Sequence, residues 1–226
     1  TQRPSIKKLL ELIGIRMRGP LSAAADAKVT SPTGVIGNIS ILPEDRIIET
    51  ISPEDGGALT YTLYKVVNGL VDTVNTTGGI RLEFENLVLQ EGTLVRDTGS
   101  FASTEGVKTI SITQNPVVEG SIQVYTEGPN SAKNGAFIEV PNVFFASGSS
   151  DKIFEVVYDD DYKATVVFGD GSVGVSPDDT ANYTVFYRIG GGSRGNLGRN
   201  TINSTITGYI NGSVTPTLVT VTNTSK

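Results

Sequence analysis

Residues 154–196 read FEVVYDDDYKATVVFGDGSVGVSPDDTANYTVFYRIGGGSRGN. Two strand-like runs, Phe154–Tyr158 and Lys163–Phe168, flank Asp159–Tyr162, where adjacent Asp side chains suit a solvated hairpin turn. In the third run Tyr183, Val185, Tyr187 and Ile189 recur at period two and so share one face, although Phe186 breaks the polar side. The runs are punctuated by Phe168-Gly169-Asp170-Gly171, Gly174, Gly190-Gly191-Gly192 and Gly195-Asn196. Asp170-Gly171 is expected to close a hairpin between Ala164–Phe168 and the next extended segment. The triple glycine lets the backbone bend sharply, or lets another chain approach where a side chain would clash. Such positions specify shape rather than chemistry.

The same period-two pattern extends outward. Ile80, Leu82 and Phe84 alternate with Arg81, Glu83 and Glu85, and Ile122 and Val124 alternate with Ser121 and Gln123. Asn68-Gly69, Asn134-Gly135 and Asn211-Gly212 are further hairpin signals, because primed turns need positive φ. Together these predict a mainly β, antiparallel chain of sandwich-like modules with about a dozen short strands. One short N-terminal helix is expected over Pro4–Ile13, where Ile6, Leu9, Leu10 and Ile13 fall on one face between Ser5 and Gly14 as caps. A helix of that length is unstable alone in water and must pack on something. The expected division is a helical segment at 1–20, a first β-domain at 21–128 and a second at 129–226, parted at the Gly/Asn/Ser-rich stretch Gly128–Gly135. The Thr- and Asn-rich stretch from Thr201 to Lys226 reads as an edge strand or a linker. The chain opens at Thr1 and has a single Met, Met17, so it reads as an excerpt of a longer polypeptide.

Composition removes whole classes of chemistry. With no Cys and no His, neither a Ser-His-Asp or Cys-His nucleophile system nor a thiolate or imidazole zinc site can form. A formal net charge of −6 with no basic patch disfavours nucleic acid. No apolar run is long enough to span a bilayer as a helix. The expectation is a non-enzyme without cofactor or metal.

Several motifs invite sharper readings. Gly169, Gly171, Gly174 and Gly190, Gly192, Gly195 both match Gly-x-Gly-x-x-Gly after a strand, but neither is followed by the helical periodicity a phosphate cradle needs. Asp97-Thr98-Gly99-Ser100 matches the aspartic-protease tripeptide, yet a second copy is absent and a dyad would require a homodimer. Asp159, Asp160, Asp161, Asp170, Asp178 and Asp179 concentrate acid without EF-hand spacing, so calcium is a minor alternative to solvated turns. Sequons at Asn38, Asn75, Asn182, Asn203, Asn211 and Asn223 are explained by a chain rich in Asn, Ser and Thr.

The order of motifs resembles the baseplate wedge (J-like) family of contractile-tailed bacteriophages and related injection systems. Leu21-Ser22-Ala23-Ala24, then Val35-Ile36-Gly37-Asn38-Ile39-Ser40-Ile41-Leu42-Pro43, is similar to that family's small-residue opening and first strand. Val88–Thr93 and Asn115-Pro116-Val117-Val118-Glu119-Gly120-Ser121-Ile122 resemble its lead into the middle strands and its Pro-Val strand. Phe168, Gly169, Asp170, Gly171, Gly174, Pro177, Tyr187-Arg188, Gly190, Gly191, Gly192, Gly195 and Asn196 form the specific part. Only one short helix precedes Ser22, and the further domain found in the family beyond Thr201 is missing from this sequence. The resemblance implies a structural subunit in the virion tail baseplate, assembled in the bacterial cytoplasm. It would hold the baseplate around the hub and relay the change that triggers sheath contraction. The implied partners are other wedge and hub proteins and copies of itself, with the glycine-rich residues as turn and interface candidates. The alternative is a β-sandwich adhesin or carbohydrate-binding module, for which Tyr61, Tyr64, Phe144, Phe145 and Tyr209 are available aromatics.

Overall fold

A computed structural model of the chain describes residues 17–30, 39–41, 44–67, 70–71, 80–82, 87–101, 106–210 and 215–225. The helix expected at Pro4–Ile13, the turns at Asn68-Gly69 and Asn211-Gly212, and most of Val35–Pro43 lie outside these residues. The chain is mainly β, in two curled sheets, and its described helical turns are three short 3-10 segments. It divides into two compact modules, one formed by 22–93 with 191–226 and the other by 94–190 with the segment ending at Leu21.

The first module holds β1 (Ala24–Thr30), β2 (Ile39–Ile41), β3 (Ile47–Ile51), β4 (Ala58–Val67), β5 (Leu70–Val71), β6 (Ile80–Leu82) and β7 (Leu87–Glu91), completed by β15 (Asn203–Ile210) and β16 (Thr217–Asn223). The strand order is β3-β4-β7-β1-β16-β15-β2-β6, with β5 paired to β4. Apolar residues at alternate positions give one buried face: in β7, Leu87 and Leu89 point inward, and in β4 Leu59, Tyr61 and Leu63 do. They pack with Val29, Ile41, Ile48, Ile206, Val219 and Val221. Each fully buried aliphatic side chain contributes about 1.5–3 kcal/mol relative to exposure.

The second module is the seven-stranded sheet β8 (Thr93–Ser100), β9 (Thr109–Ser111), β10 (Gln123–Glu127), β11 (Gly135–Glu139), β12 (Ile153–Tyr158), β13 (Ala164–Phe168) and β14 (Asn182–Ile189). Its order is β8-β14-β10-β11-β12-β13-β9; β11 and β12 run parallel, whereas β10–β11, β10–β14, β12–β13 and β13–β9 are antiparallel. The inner face carries Val124, Phe137, Phe154, Val166, Phe168, Val185 and Tyr187. Phe168 sits among Phe101, Phe137 and Phe154, meeting the first two edge-on at centroid distances of 5.5 and 5.0 Å. Tyr183, Val185, Tyr187 and Ile189 all face this core, as their spacing predicted.

Three expectations are corrected. The boundary at 128/129 does not part the modules, because β10 and β11 on either side of it pair directly, Val124 opposite Phe137. The chain instead changes module at 21/22, 93/94 and 190/191, so the second module is threaded into the sequence of the first. Asp170-Gly171 closes no hairpin: the next strand, β14, pairs with β10 and β8 rather than with β13. The stretch from Thr201 is neither an edge nor a linker, since β15 and β16 lie inside the first module's sheet, between β1 and β2.

Candidate functional site

The glycine-punctuated residues fall into two separate places. In the second module, Phe168 ends β13 with its ring buried, and Gly169 turns the chain away. A Cβ on Gly169 would strike the backbone of Val173 and Gly174, so the close approach admits only glycine. The Asp170 carboxylate accepts hydrogen bonds from the Ser172 and Val173 amides at 2.7 and 2.8 Å. These amides, Val173 first, hold its carboxyl below the usual range. The Gly171 amide donates to the Gly174 carbonyl at 3.1 Å, the Gly174 amide to Gly148, and the Val175 amide to Asp151. The loop's amides are thus spent within the module, and residues 175–181 after it are not helical.

Gly190, Gly191 and Gly192 take φ of 136, 87 and 91°, a run that residues with a Cβ rarely adopt. The bend places the Gly191 amide on the Glu91 carboxylate at 2.8 Å and carries Gly195 over the first module's sheet. There Tyr61, directly opposite Glu91 in the β4–β7 register, donates its hydroxyl to the Gly195 carbonyl. Burial, then the Glu91 charge, pushes the Tyr61 phenol up to about 12. A Cβ on Gly195 would meet Glu91 Cγ at 2.8 Å and Ala23 Cβ at 2.9 Å. Arg194 pairs with Asp55 at 2.7 Å, Ser193 Oγ donates to Glu54 at 3.1 Å, and Asn196 is exposed just beyond. The second Gly-x-Gly-x-x-Gly run therefore ends in a 3-10 turn, Ser193–Gly195, pinned by side chains of its own module.

Tyr187 belongs to a third cluster. Its buried hydroxyl donates to Asp97 Oδ2 at 2.8 Å, and Thr113 Oγ1 donates to the same oxygen at 2.7 Å. Burial raises the Tyr187 phenol above its ordinary value. Asp97 lies on β8 and cross-links strand to loop, while Gly99 two residues on leaves room for the Tyr183 ring. The triple Asp is the β12–β13 turn: Asp159 Oδ1 accepts from the Asp161 and Lys163 amides at 3.0 and 2.9 Å. Among the described residues no three acidic side chains converge in a metal-holding arrangement. Of the aromatics considered for sugar stacking, Tyr61 and Tyr64 are buried and Phe144 and Phe145 are exposed.

Two features escaped sequence reasoning. By register Tyr125, Ile138 and Val157 share the outer face of the second module's sheet, spaced along it rather than side by side, since Tyr125 lies opposite Ala136 and Ile138 opposite Ile153; they are 36, 69 and 42% exposed. Phe186 lies on the same face against Tyr125, beneath the Arg96 guanidinium. On the other side, Glu119 and Glu139 line a groove of about 730 Å³ with Arg18, Tyr158 and Phe145. Burial and then the Glu119 charge raise the Glu139 carboxyl; burial and then both carboxylates raise the Tyr158 phenol. No local pattern announces either feature, since each joins residues from several elements. No family model matches the chain, and no curated protein matches it significantly.

Proposed function

We propose that the chain is a structural part of a contractile-tail baseplate wedge, acting by packing against neighbouring subunits. The observation that carries this reading is that three large apolar side chains, Tyr125, Ile138 and Val157, are exposed on one face of the sheet formed by β10, β11 and β12. Three large apolar side chains exposed on one sheet face suit a surface that is covered in an assembly. The glycine-rich segments support the same reading in a different way. Their amides and carbonyls bond to Glu91, Tyr61, Asp170 and neighbouring backbone, so they set shape and leave the sheet faces for contact. Rigid modules that move as bodies are what an interface-rearranging machine requires.

The experiment is incorporation into tail particles. Wild-type protein should co-sediment with assembled baseplates, and Ile138→Lys or Val157→Lys should be excluded while keeping wild-type far-UV circular dichroism and melting. Folded variants that assemble as well as wild type would refute the reading.

A further inference from the structure

The groove in the second module lies on the opposite side of the sheet from Tyr125, Ile138 and Val157 and does not depend on the wedge reading. Glu139 enters it from the end of β11, opposite Phe154 and on the sheet's inner side, so its carboxylate faces the groove at the edge of the core. Tyr158 comes from β12 on the same side, and Glu119 from the loop before β10. The segment before β1 contributes Arg18, which approaches Glu119 only to 3.8 Å and is 82% exposed. Two carboxylates therefore face one loosely held, largely solvated guanidinium. The 71% exposed ring of Phe145 forms another wall and offers its π-face to a cation.

We propose that this groove binds a lysine or arginine side chain presented by a partner polypeptide, its cation held by Glu139 and Glu119. Charge complementarity selects the occupant: two carboxylates outnumber the one guanidinium of Arg18, so an anion meets net negative charge and a neutral sugar leaves that charge unrelieved. The aliphatic stem of Lys or Arg fits the apolar part of the groove at Val156 and Phe145. Glu139 titrates above the ordinary carboxyl range, and a bound cation favours its ionised form, so affinity rises with pH through that titration.

The test is an NMR titration of the isotope-labelled chain near neutral pH with acetyl-Gly-Arg-Gly-amide, and in parallel with acetyl-Gly-norleucine-Gly-amide and with maltose. Saturable amide shifts at Arg18, Glu139, Val140 and Phe145 are expected with the arginine peptide alone. They should weaken several-fold in Glu139→Gln, in Glu119→Gln, on acidification to about pH 4 and on adding salt. An equal response to the norleucine peptide would make the groove merely apolar, and a response to maltose alone would make it a sugar site. Either result overturns the proposal, as does no saturable shift at tens of millimolar peptide or affinity unchanged in the Gln variants. Should one variant fail to fold, the other and the pH series still decide.

Discussion

Gly192 sits at φ 91° with open space around its missing Cβ, so backbone conformation alone excludes other residues there. Replacing it by Ala should cost about 1–3 kcal/mol, the penalty of a positive φ combined with its extended ψ of −174°, a conformation essentially confined to glycine. Gly148 has equally open surroundings and no positive φ, so Gly148→Ala should stay within about 0.5 kcal/mol. Equal losses in denaturant midpoint for the two would contradict the role given to the bend. Tyr61 offers a second check. Its phenol titrates near 10 unfolded and near 12 folded, so its contribution is complete below pH 10 and is lost as pH rises through 12. The loss is of the order of 2 kcal/mol. The stability gap between wild type and Tyr61→Phe should therefore narrow between about pH 10 and pH 12 in parallel denaturation series. A gap that stays constant would mean that the Tyr61 phenol is not held neutral beside Glu91. That these glycines shape the backbone was legible in the sequence, because positive φ has a strong residue preference. That Glu91 and Tyr61 receive the bend was not, because the pairing of β4 with β7 leaves no local trace.

At the scale of elements, the β12–β13 hairpin was readable because its strands, its Asp turn and its partners are adjacent in the chain. The Gly128–Gly135 stretch misled for the opposite reason: a hairpin loop and a linker share one composition. Its structure comes from Asn134, a buried side chain that donates to Asp178 at 2.7 Å and to the Asn130 carbonyl at 2.9 Å. The same side chain accepts from Thr126 Oγ1 at 3.1 Å, tying the loop to β10. Asn134→Leu removes these bonds and leaves the Thr126 hydroxyl without this acceptor, which should cost about 1–3 kcal/mol. Faster amide exchange at Thr126 and Gly135 should accompany the loss. Unchanged exchange would show that strand pairing alone holds the hairpin.

On the scale of the whole molecule, the interleaving of the modules was invisible to sequence reading. β1 is joined to β16, near opposite ends of the chain, as well as to β7, and hydrophobic period reports facing rather than partners. The topology makes a definite statement, however: nearly all strand residues of the second module lie within 94–190. A fragment of those residues should fold by itself, with dispersed amide resonances and cooperative melting, whereas 22–93 alone should not, lacking β15 and β16. A disordered 94–190 fragment would contradict the division. The central proposal is that the outer sheet face of the second module works by being packed against. Hydroxyl-radical footprinting of the protein, free and in assembled tails, tests it most directly. The account predicts that Tyr125, Ile138 and Val157 lose reactivity on assembly; equal reactivity in both states would contradict it.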